Sequence, residues 1–378
     1  MSGTSRPLSD NGCPTMSTDP VISHDQLLRH LHDLATHAVR RFPLPDGVRA
    51  TLINVSENAT YRIDDPATGK KWALRVHREG YHSRRAIASE LLWQRALKDS
   101  GAVVTPAAIA GLDGELIQTV AHLDLPNPRN VVLFDWEAGA EPASNDAAGF
   151  ELLGETAARM HNHVKSWQRP DWFERHSWDF DTSLGDRPHW GRWRDGMGMT
   201  PEIEAVFAKT VSLIKSRLEK FGTAPDRFNL VHGDMRLANL LMDGGTVKVI
   251  DFDDCGMSWF LYDCATTVSF FEHQPEVPEL IQAWVRGYKR VAPLSAEDEA
   301  EIGTFVMLRR LLLVAWIGSH SETELAQSMG VQYTRDTVAL CKTYLQDFGG
   351  GTAQAGAVPH VVPADQVAKP GFWKRLFG

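Results

Sequence analysis

The order of apolar and polar residues divides the chain into two parts. From about residue 50 to 137, short alternating or apolar segments predict strands around one helix. The predicted strands are 52–55, 60–63, 72–77, 117–123 and 130–136, with the helix at 83–98. After about residue 146, apolar residues recur at helical spacing and predict helices at 147–165, 200–221, 276–291, 297–318 and 330–346. The pattern therefore predicts an α+β protein with a small β-rich lobe followed by a larger α-rich lobe.

Both ends differ in composition from the part between them. Residues 1–20 are rich in small and polar residues, and the segment from 349 onward is rich in Gly, Ala and Pro, so we expect flexible tails at 1–20 and 349–378. The lobes are then an N-lobe over 21–137 and a C-lobe over 138–348. Met16 is a plausible alternative start, and the aromatic, basic end at 371–378 is interpreted as part of an unstructured tail.

Charge and cysteine content exclude several classes of protein. The chain carries 39 Lys and Arg against 48 Asp and Glu, a net charge of −9, which argues against a nucleic-acid binder. Its four cysteines form no CxxC pair, which indicates reduced thiols in a cytoplasmic protein. The most apolar run, 311–317, is far shorter than the roughly 20 residues of a membrane span, so we expect a core helix and no membrane insertion. The oligomeric state is left open.

The most informative stretch runs from residue 230 to 263. Two apolar segments flank Asp243-Gly244-Gly245-Thr246, which predicts a β-hairpin. Asn239 precedes the first strand and Asp251 follows the second, so the hairpin brings two hard oxygen ligands side by side. That pairing suits Mg²⁺ held together with substrate phosphates. Asp234, five residues before Asn239, lies on the approach to the same place.

These residues resemble a known motif. His-Gly-Asp at 232–234, Asn239 and the Ile-Asp-Phe-Asp-Asp run at 250–254 are similar to the aminoglycoside phosphotransferase/choline kinase superfamily, the small-molecule branch of the protein-kinase-like fold. The resemblance covers roughly residues 45–320 and looks closest to the group of type II homoserine kinases and stress-response kinase A proteins. It implies a bilobal fold in which an antiparallel sheet with one main helix forms the N-lobe and helices form most of the C-lobe.

The resemblance also implies cofactors and roles. ATP and Mg²⁺ are the expected cofactors, with Asn239, Asp251 and Asp253 at the metal. Asp234 would accept or orient the substrate hydroxyl. Three further residues would support this loop and its surroundings: His232, Arg236 and Asp254.

A basic residue on the third predicted strand fits the same scheme. Alternation puts Ala73, Arg75 and His77 on one face of strand 72–77. Most kinases of this fold have Lys where this chain has Arg75, and a guanidinium can also hold phosphate and carboxylate. We expect Arg75 to face the phosphates and to pair with Glu90 on the following helix. The other interpretations are a surface strand Arg and a solvated helix Glu.

Two segments are candidates for nucleotide contacts. The stretch 54–61 occupies the place of the phosphate-covering loop without a glycine, so backbone amides around Asn58 and the Ser56 hydroxyl would cap the phosphates, unless it is a plain hairpin turn. The strand 131–135 runs into a polar turn as an interlobe hinge would. By resemblance, adenine bonds the backbone at Trp136 and Glu137.

Two other groups of residues allow more than one interpretation. His161 and His163 suggest metal binding, but side chains two apart on a helix diverge, which favours helix packing or capping. The aromatic-rich stretch 167–193 is interpreted as an insertion packed beside the acceptor site or as ordinary core.

The substrate class follows from what the motif contains and lacks. The catalytic loop reads His-Gly-Asp and no Ala-Pro-Glu follows, which disfavours a eukaryotic-type protein kinase. We expect ATP-dependent phosphoryl transfer to a hydroxyl of a small, amine-bearing metabolite that is homoserine-like, an amino alcohol or aminoglycoside-like. Four acidic residues are candidates for an ammonium site, with helix capping or binding of a second Mg²⁺ as the alternative for some of them: Asp253, Asp254, Asp263 and Glu272. The alternatives are a Ser/Thr protein kinase of the stress-response kinase A type and a non-catalytic nucleotide-binding protein.

Overall fold

The computed structural model describes residues 23–350. The N-lobe contains an antiparallel sheet in the order β1-β2-β3-β6-β4, with β5 pairing along β6. Its elements in chain order are α1 (His24–Ala38), β1 (Arg49–Val55), β2 (Ala59–Asp64), β3 (Lys71–Val76), α2 (Arg84–Asp99), β4 (Ala108–Ile109), β5 (Gln118–Val120) and β6 (Arg129–Asp135). The antiparallel sheet with one long helix between β3 and β4 agrees with the expected N-lobe.

The C-lobe is mainly helical and carries two short β-ribbons. Its elements are α3 (Ala147–Ser166), α4 (Phe180–Ser183), α5 (Pro201–Phe221), β7 (Phe228–Val231), β8 (Leu240–Asp243), β9 (Thr246–Val249), β10 (Gly256–Trp259), α6 (Phe260–Thr266), α7 (Val277–Lys289), α8 (Ala296–Ser319) and α9 (Glu324–Phe348). The pairs β8–β9 and β7–β10 form the two ribbons. The predicted α+β fold with a sheet-containing N-lobe and a helical C-lobe is confirmed.

Helix α8 lies at the centre of the C-lobe core. It is long and apolar enough to span a membrane, but 89% of its most apolar window is buried inside the protein. Nearly all residues from Ile302 to Ile317 are buried, including the two arginines Arg309 and Arg310. The apolar run 311–317 is therefore a core helix, as its length predicted.

The structure adds or alters several elements. Helix α1 was not predicted, although Ser23 and Gln26 form a capping box at its start. Strand β5 is shorter than the predicted 117–123. Helix α9 begins at Glu324, before the predicted start at residue 330. Gly330, inside this helix, has a positive φ of 52° and kinks it at the predicted start.

Some predictions concern parts of the chain outside the described residues. These are the tail at 1–20, the start at Met16, Cys13 and the basic end at 371–378. The other three cysteines, Cys255, Cys264 and Cys341, are buried free thiols, as expected. The lobe boundary at residue 137 remains a prediction.

Helices α3 and α7 approach each other closely at two glycines. A Cβ at Gly154 would lie 2.0 Å from the Trp284 carbonyl oxygen, and one at Gly287 would lie 1.8 Å from that of Glu151. Neither position has room for a side chain while the two backbones keep this distance. The contact holds α3 in place, and α3 carries the buried His161, whose Nε2 lies 3.0 Å from the Asp263 carboxylate on α6.

We expect Gly287→Ala to lower the free energy of unfolding by about 1–3 kcal/mol, because the added methyl group must push the two helices apart. Gly350→Ala is the matched control, since a Cβ there meets nothing within 4 Å. Urea unfolding of both variants measures the difference, and equal stability would contradict the close-contact interpretation.

Candidate active site

The catalytic-loop candidate follows β7 and is fixed through its backbone. The buried Asp263 carboxylate on α6 accepts hydrogen bonds from the amide of His232 at 3.1 Å and of Gly233 at 2.8 Å. Gly233 has a φ of +81°, and a Cβ there would lie 2.5 Å from the Asp254 carbonyl oxygen. The loop conformation therefore depends on a glycine at this position and on a carboxylate about 30 residues away along the chain.

The His232 ring braces the same loop. Its Nε2 lies 3.1 Å from the Ile250 carbonyl oxygen, and its Nδ1 lies 3.3 Å from the Asp234 amide. A neutral ring that donates from Nε2 and accepts at Nδ1 satisfies both contacts. The ring thus connects the loop to the end of the β8–β9 hairpin.

Asp234 is buried and surrounded by donors. Asn239 Nδ2 donates to its Oδ2 at 2.8 Å and Arg236 Nε at 3.0 Å, while Arg309 Nη2 on α8 donates to Oδ1. Burial alone would raise the pKa of Asp234, but the charges of Arg236 and Arg309 outweigh it and hold the pKa below its ordinary value. Asp234 is therefore a fixed carboxylate.

The β8–β9 hairpin brings Asn239 beside Asp251. The turn residues Gly244 and Gly245 have φ values of +53° and +82°, and the Ile250 amide donates to the Asn239 carbonyl at 3.0 Å. Asp251 itself has a φ of 60°, an uncommon conformation for a residue with a side chain. This backbone turns its carboxylate toward the cleft, where 43% of the side chain is exposed.

Arg75 connects three segments of the chain. From β3 its Nη1 donates to Glu90 Oε1 on α2 at 2.6 Å, the partner that the sequence indicated. Its Nη2 donates to Asp251 Oδ1 at 2.8 Å, and Asp253 Oδ1 lies 3.5 Å from Nη1. These carboxylates hold the pKa of Arg75 above its ordinary value although burial opposes this. The guanidinium thus links both lobes at the cleft.

Asp253 and Asn58 are bound mainly to other protein groups. Asn58 Nδ2 donates to Asp253 Oδ2 at 2.7 Å, and Asn58 Oδ1 accepts from the Arg78 amide at 3.0 Å. His77 Nδ1 and His82 Nε2 each lie 3.6 Å from an Asp253 oxygen. Both residues line the cleft together with Asp251, and the Asn58 side chain is engaged by Asp253 and the Arg78 amide.

The loop between β1 and β2 forms a tight turn. The Ser56 amide donates to the Asn58 carbonyl at 3.1 Å, so this amide is not free to bind phosphate, whereas the Ser56 side chain borders the cleft. Glu57 at the tip reaches across to α8 and accepts a hydrogen bond from Trp316 Nε1 at 2.6 Å. The loop therefore closes over the cleft and contacts the C-lobe.

Asp254 and Glu57 add negative charge to the cleft. Asp254 Oδ1 accepts from the Tyr81 hydroxyl at 2.7 Å, and that hydroxyl accepts from Trp190 Nε1 at 3.0 Å. Burial, followed by the nearby carboxylate of Glu57, raises the pKa of Asp254 well above its ordinary value. A cation bound at this carboxyl would lower that pKa and favour the ionised carboxylate.

The aromatic-rich stretch reaches the site through two residues. Trp178, Trp190 and Trp193 are buried in the C-lobe core, whereas Trp172 is 43% exposed. Trp190 Nε1 donates to the Tyr81 hydroxyl, and Trp178 Nε1 donates to the Asp254 carbonyl oxygen at 2.7 Å. Most of the stretch is therefore core, and its place beside the acceptor site remains a prediction.

Two of the four ammonium candidates are fully buried in structural pairs. Glu272 binds Arg310 Nη1 at 2.7 Å and Tyr333. Asp263 holds the catalytic loop and accepts from His161 Nε2 at 3.0 Å. The expectation that these two face the acceptor is corrected, because neither borders the cleft. His161 is a packing and hydrogen-bonding residue, as favoured over metal binding.

The predicted hinge connects the lobes on the other side of the cleft. Trp136 is 37% exposed and lies beside Lys71. Glu137 Oε2 lies 3.2 Å from Lys248 Nζ on β9, which also donates to the Ala138 carbonyl at 2.8 Å. This ties the hinge segment to the β8–β9 hairpin.

The residues present fit a hard divalent cation. Asn239 donates a hydrogen bond from Nδ2 to Asp234, so the amide oxygen of Asn239 points away from that bond. In the part of the chain described here, this Asn239 Oδ1 accepts no hydrogen bond. Asp251 is half exposed toward the same cleft. An amide oxygen and a carboxylate at the two ends of one hairpin are suitable Mg²⁺ ligands.

Sequence reasoning missed several residues of the site. Arg309, Tyr81, Glu57 and Trp316 border or contact it from distant positions in the chain. The signal for Arg309 was its position as a charged residue in an apolar helix, which requires a buried partner. Nothing in the sequence named that partner.

Comparison with known proteins identifies the family. A sequence model described as "Phosphotransferase enzyme family" (APH) matches residues 49–300. The chain belongs to this family, and the predicted resemblance is confirmed. A curated relative, the amicoumacin kinase of Bacillus subtilis (strain 168), is 25% identical over 174 residues, which is 43% of this chain. The match spans about half the length of that relative, 49%.

Solved structures show the same fold. The microcompartment-associated aminopropanol kinase is 41% identical with a TM-score of 0.78, over 84% of this chain and 98% of the other. The amicoumacin kinase hAmiN, solved with AMP-PNP, Ca²⁺ and its substrate, has a TM-score of 0.67 at 18% identity, over 84% of this chain and 96% of the other. The neighbours are kinases of small molecules, and the fold is that of this family.

We expect Asp263→Ala to lower the free energy of unfolding by about 2–4 kcal/mol, because two loop amides and His161 lose their buried partner. Asp243→Ala at the hairpin tip is the control, since its side chain is 57% exposed and its ion pair with Lys248 contributes below about 1 kcal/mol. Urea unfolding compares the two, and an equally small loss in both would show that Asp263 does not hold the loop.

Proposed function

We propose that this protein transfers the γ-phosphoryl group of ATP to the hydroxyl of a small amino alcohol, with aminopropanol as the leading candidate. The observation that carries the proposal is a cleft lined by the carboxyls of Asp234, Asp251, Asp254 and Glu57, with Asn239 hydrogen-bonded to Asp234 beside it. The 41% identity to an aminopropanol kinase over most of both chains supports the same acceptor class.

The N-lobe residues hold the nucleotide in this proposal. Arg75, kept in place by Glu90, presents its guanidinium to the phosphates, and the Ser56 hydroxyl caps them from the β1–β2 loop. Trp136 and Glu137 offer backbone groups to the adenine. Support comes from the hydrogen bond of Arg75 to Asp251 and from Ser56, which borders the same cleft as Asp251, whereas the roles of Trp136 and Glu137 rest on the family resemblance.

The C-lobe residues orient the reacting groups. Asn239 and Asp251 hold Mg²⁺, which neutralises phosphate charge when bound. Asp253 and Asn58 keep the Arg75–Asp251 pair in place. Asp234, supported by Arg236 and His232, accepts the hydrogen bond of the acceptor hydroxyl and aligns its oxygen with the γ-phosphorus. Catalysis then rests on positioning and charge neutralisation.

The acceptor's ammonium group is assigned to Asp254 and Glu57. Both carboxyls border the cleft, and the pKa of Asp254 is raised in a way that a bound cation would relieve. The Tyr81 and Trp190 rings next to Asp254 add aromatic surface of the kind that favours cations.

The two other functions considered from the sequence have less support. The relatives reported above are kinases of small molecules, which does not favour a Ser/Thr protein kinase. A non-catalytic protein would have no need of an Asp234 held by three donors. A soluble, cytoplasmic protein is consistent with a core in which the one long apolar helix of the described residues is buried.

An ADP-release assay over a panel of acceptors tests the function. We expect turnover with aminopropanol and related amino alcohols and little with homoserine, aminoglycosides or an unstructured Ser-rich peptide. Asp234→Asn removes the carboxylate that orients the hydroxyl and is expected to lower kcat roughly 10²–10⁴-fold.

Mg²⁺-dependent binding of an ATP analogue to the Asp234→Asn variant is the control for folding. Turnover of the variant near that of the wild type would refute the role of Asp234. Turnover of the wild type only with the peptide would refute the acceptor class.

Asp254→Asn tests the ammonium site. We expect the KM for aminopropanol to rise about tenfold or more, because the ammonium loses a charge-assisted hydrogen bond, while the KM for ATP stays the same. Glu57→Gln is expected to have a smaller effect in the same direction. An unchanged KM for aminopropanol in both variants would place the ammonium elsewhere.

A further inference from the structure

Arg309 is the one buried cation of the C-lobe helices that contacts Asp234 in the described structure. Its side chain is 1% exposed, and its Nη2 donates to Asp234 Oδ1. The rest of the guanidinium is fixed by Ser269 Oγ and the Tyr262 hydroxyl, each at 3.1 Å. Its central carbon lies 5.1 Å from the Trp190 ring centre. The guanidinium therefore cannot turn away from Asp234 without losing several contacts.

This arrangement uses three of the four acceptor directions of the Asp234 carboxylate. Oδ2 accepts from both Asn239 and Arg236, and Oδ1 accepts from Arg309, so one direction, on Oδ1, is left for a substrate. A carboxylate with both oxygens paired in this way keeps a single rotamer. Its remaining acceptor direction fixes where a substrate hydroxyl can bind.

The charge of Arg309 also acts on the acceptor. An ammonium group next to Asp234 would lie beside two guanidinium groups, Arg309 and Arg236, and like charges at such distances repel. Asp254 and Glu57 border the same cleft and carry the charge that attracts an ammonium. The two ends of an amino alcohol thus meet opposite electrostatic environments.

We propose that Arg309 is a positioning residue that fixes the Asp234 carboxylate and excludes the acceptor's ammonium from it, so that an amino alcohol binds with its hydroxyl toward Asp234 and its amine toward Asp254 and Glu57. The orientation rests on the proposed function. The fixing of Asp234 does not depend on which acceptor is used.

Arg310 provides a matched control on the same helix. It is also 1% exposed and pairs with a buried carboxylate, Glu272, but it contacts Thr337 and Tyr333 instead of the catalytic loop. Removing either arginine takes one ion-pair partner from a buried carboxylate that keeps other donors, so we expect a comparable loss of stability. Only the Arg309 variants are expected to alter the reaction itself.

The experiment compares Arg309→Ala and Arg309→Lys with Arg310→Ala and Arg310→Lys in the full-length protein. Melting temperature, kcat, and the KM for ATP and for aminopropanol are measured for each, with and without added guanidinium ion. We expect Arg309→Ala to lower kcat about a hundredfold with little change in the KM for ATP, because Asp234 is displaced. Millimolar guanidinium restores part of that kcat by filling the vacated position.

The orientation has a separate readout. Propylamine has an ammonium but no hydroxyl, and we expect it to inhibit Arg309→Ala more strongly than wild type or Arg310→Ala, because the amine then binds Asp234 directly. If Arg309→Ala does not fold, Arg309→Lys is compared with Arg310→Lys, and a loss of kcat is expected only in the former, since a lysine cannot bridge the same three partners.

Equal losses of kcat in Arg309→Ala and Arg310→Ala, together with no rescue of Arg309→Ala by guanidinium, would show that Arg309 is merely structural. Unchanged inhibition by propylamine would overturn the exclusion of the amine. If wild type phosphorylates only an acceptor without an amine, the proposed function and the orientation both fail. In that case, the kcat of Arg309→Ala with that acceptor and its rescue by guanidinium still test whether Arg309 fixes Asp234.

Discussion

The site depends on one buried guanidinium, that of Arg75, and on the carboxylates that make its burial possible. A buried charge is stable only when paired and hydrogen-bonded, and Arg75 meets Glu90 on α2 and both Asp251 and Asp253 after the hairpin. These partners come from two segments, one in each lobe. The pairing therefore connects the N-lobe sheet to the C-lobe. Carboxylates outnumber cationic side chains among the residues that line the cleft.

A second layer of buried polar contacts keeps the catalytic loop rigid. Asp263 binds two loop amides, His232 bridges the loop to Ile250, and Thr266 accepts from the Met235 amide at 2.8 Å. Because each contact goes to the backbone, the loop geometry does not depend on the mobility of long side chains. The uncommon φ of Asp251 is tolerated where such contacts over-determine the backbone.

The two ends of the proposed acceptor site differ in the charge of their side chains. Asp254 and Glu57 attract a cation, whereas Arg309 and Arg236 surround Asp234 and repel one. The two buried arginines of α8 thus have different contacts, since Arg310 binds Thr337 on α9 and Arg309 binds Asp234. The likeness to an aminopropanol kinase agrees with the proposed amino-alcohol acceptor.

The sequence alone determined the fold class, the family and the residues of the motif, because strand alternation, helical periodicity and the Asp234–Asn239–Asp251 spacing are local properties of the chain. It also indicated the pairing of Arg75 with Glu90, since both lie on adjacent elements. Only the tertiary structure decided that Asp263 and Glu272 are buried supports, that Asp253 is bonded to Asn58, and that Arg309 reaches Asp234. Those contacts join residues far apart in the chain, and burial and pairing between such residues are set by packing, which no local pattern encodes.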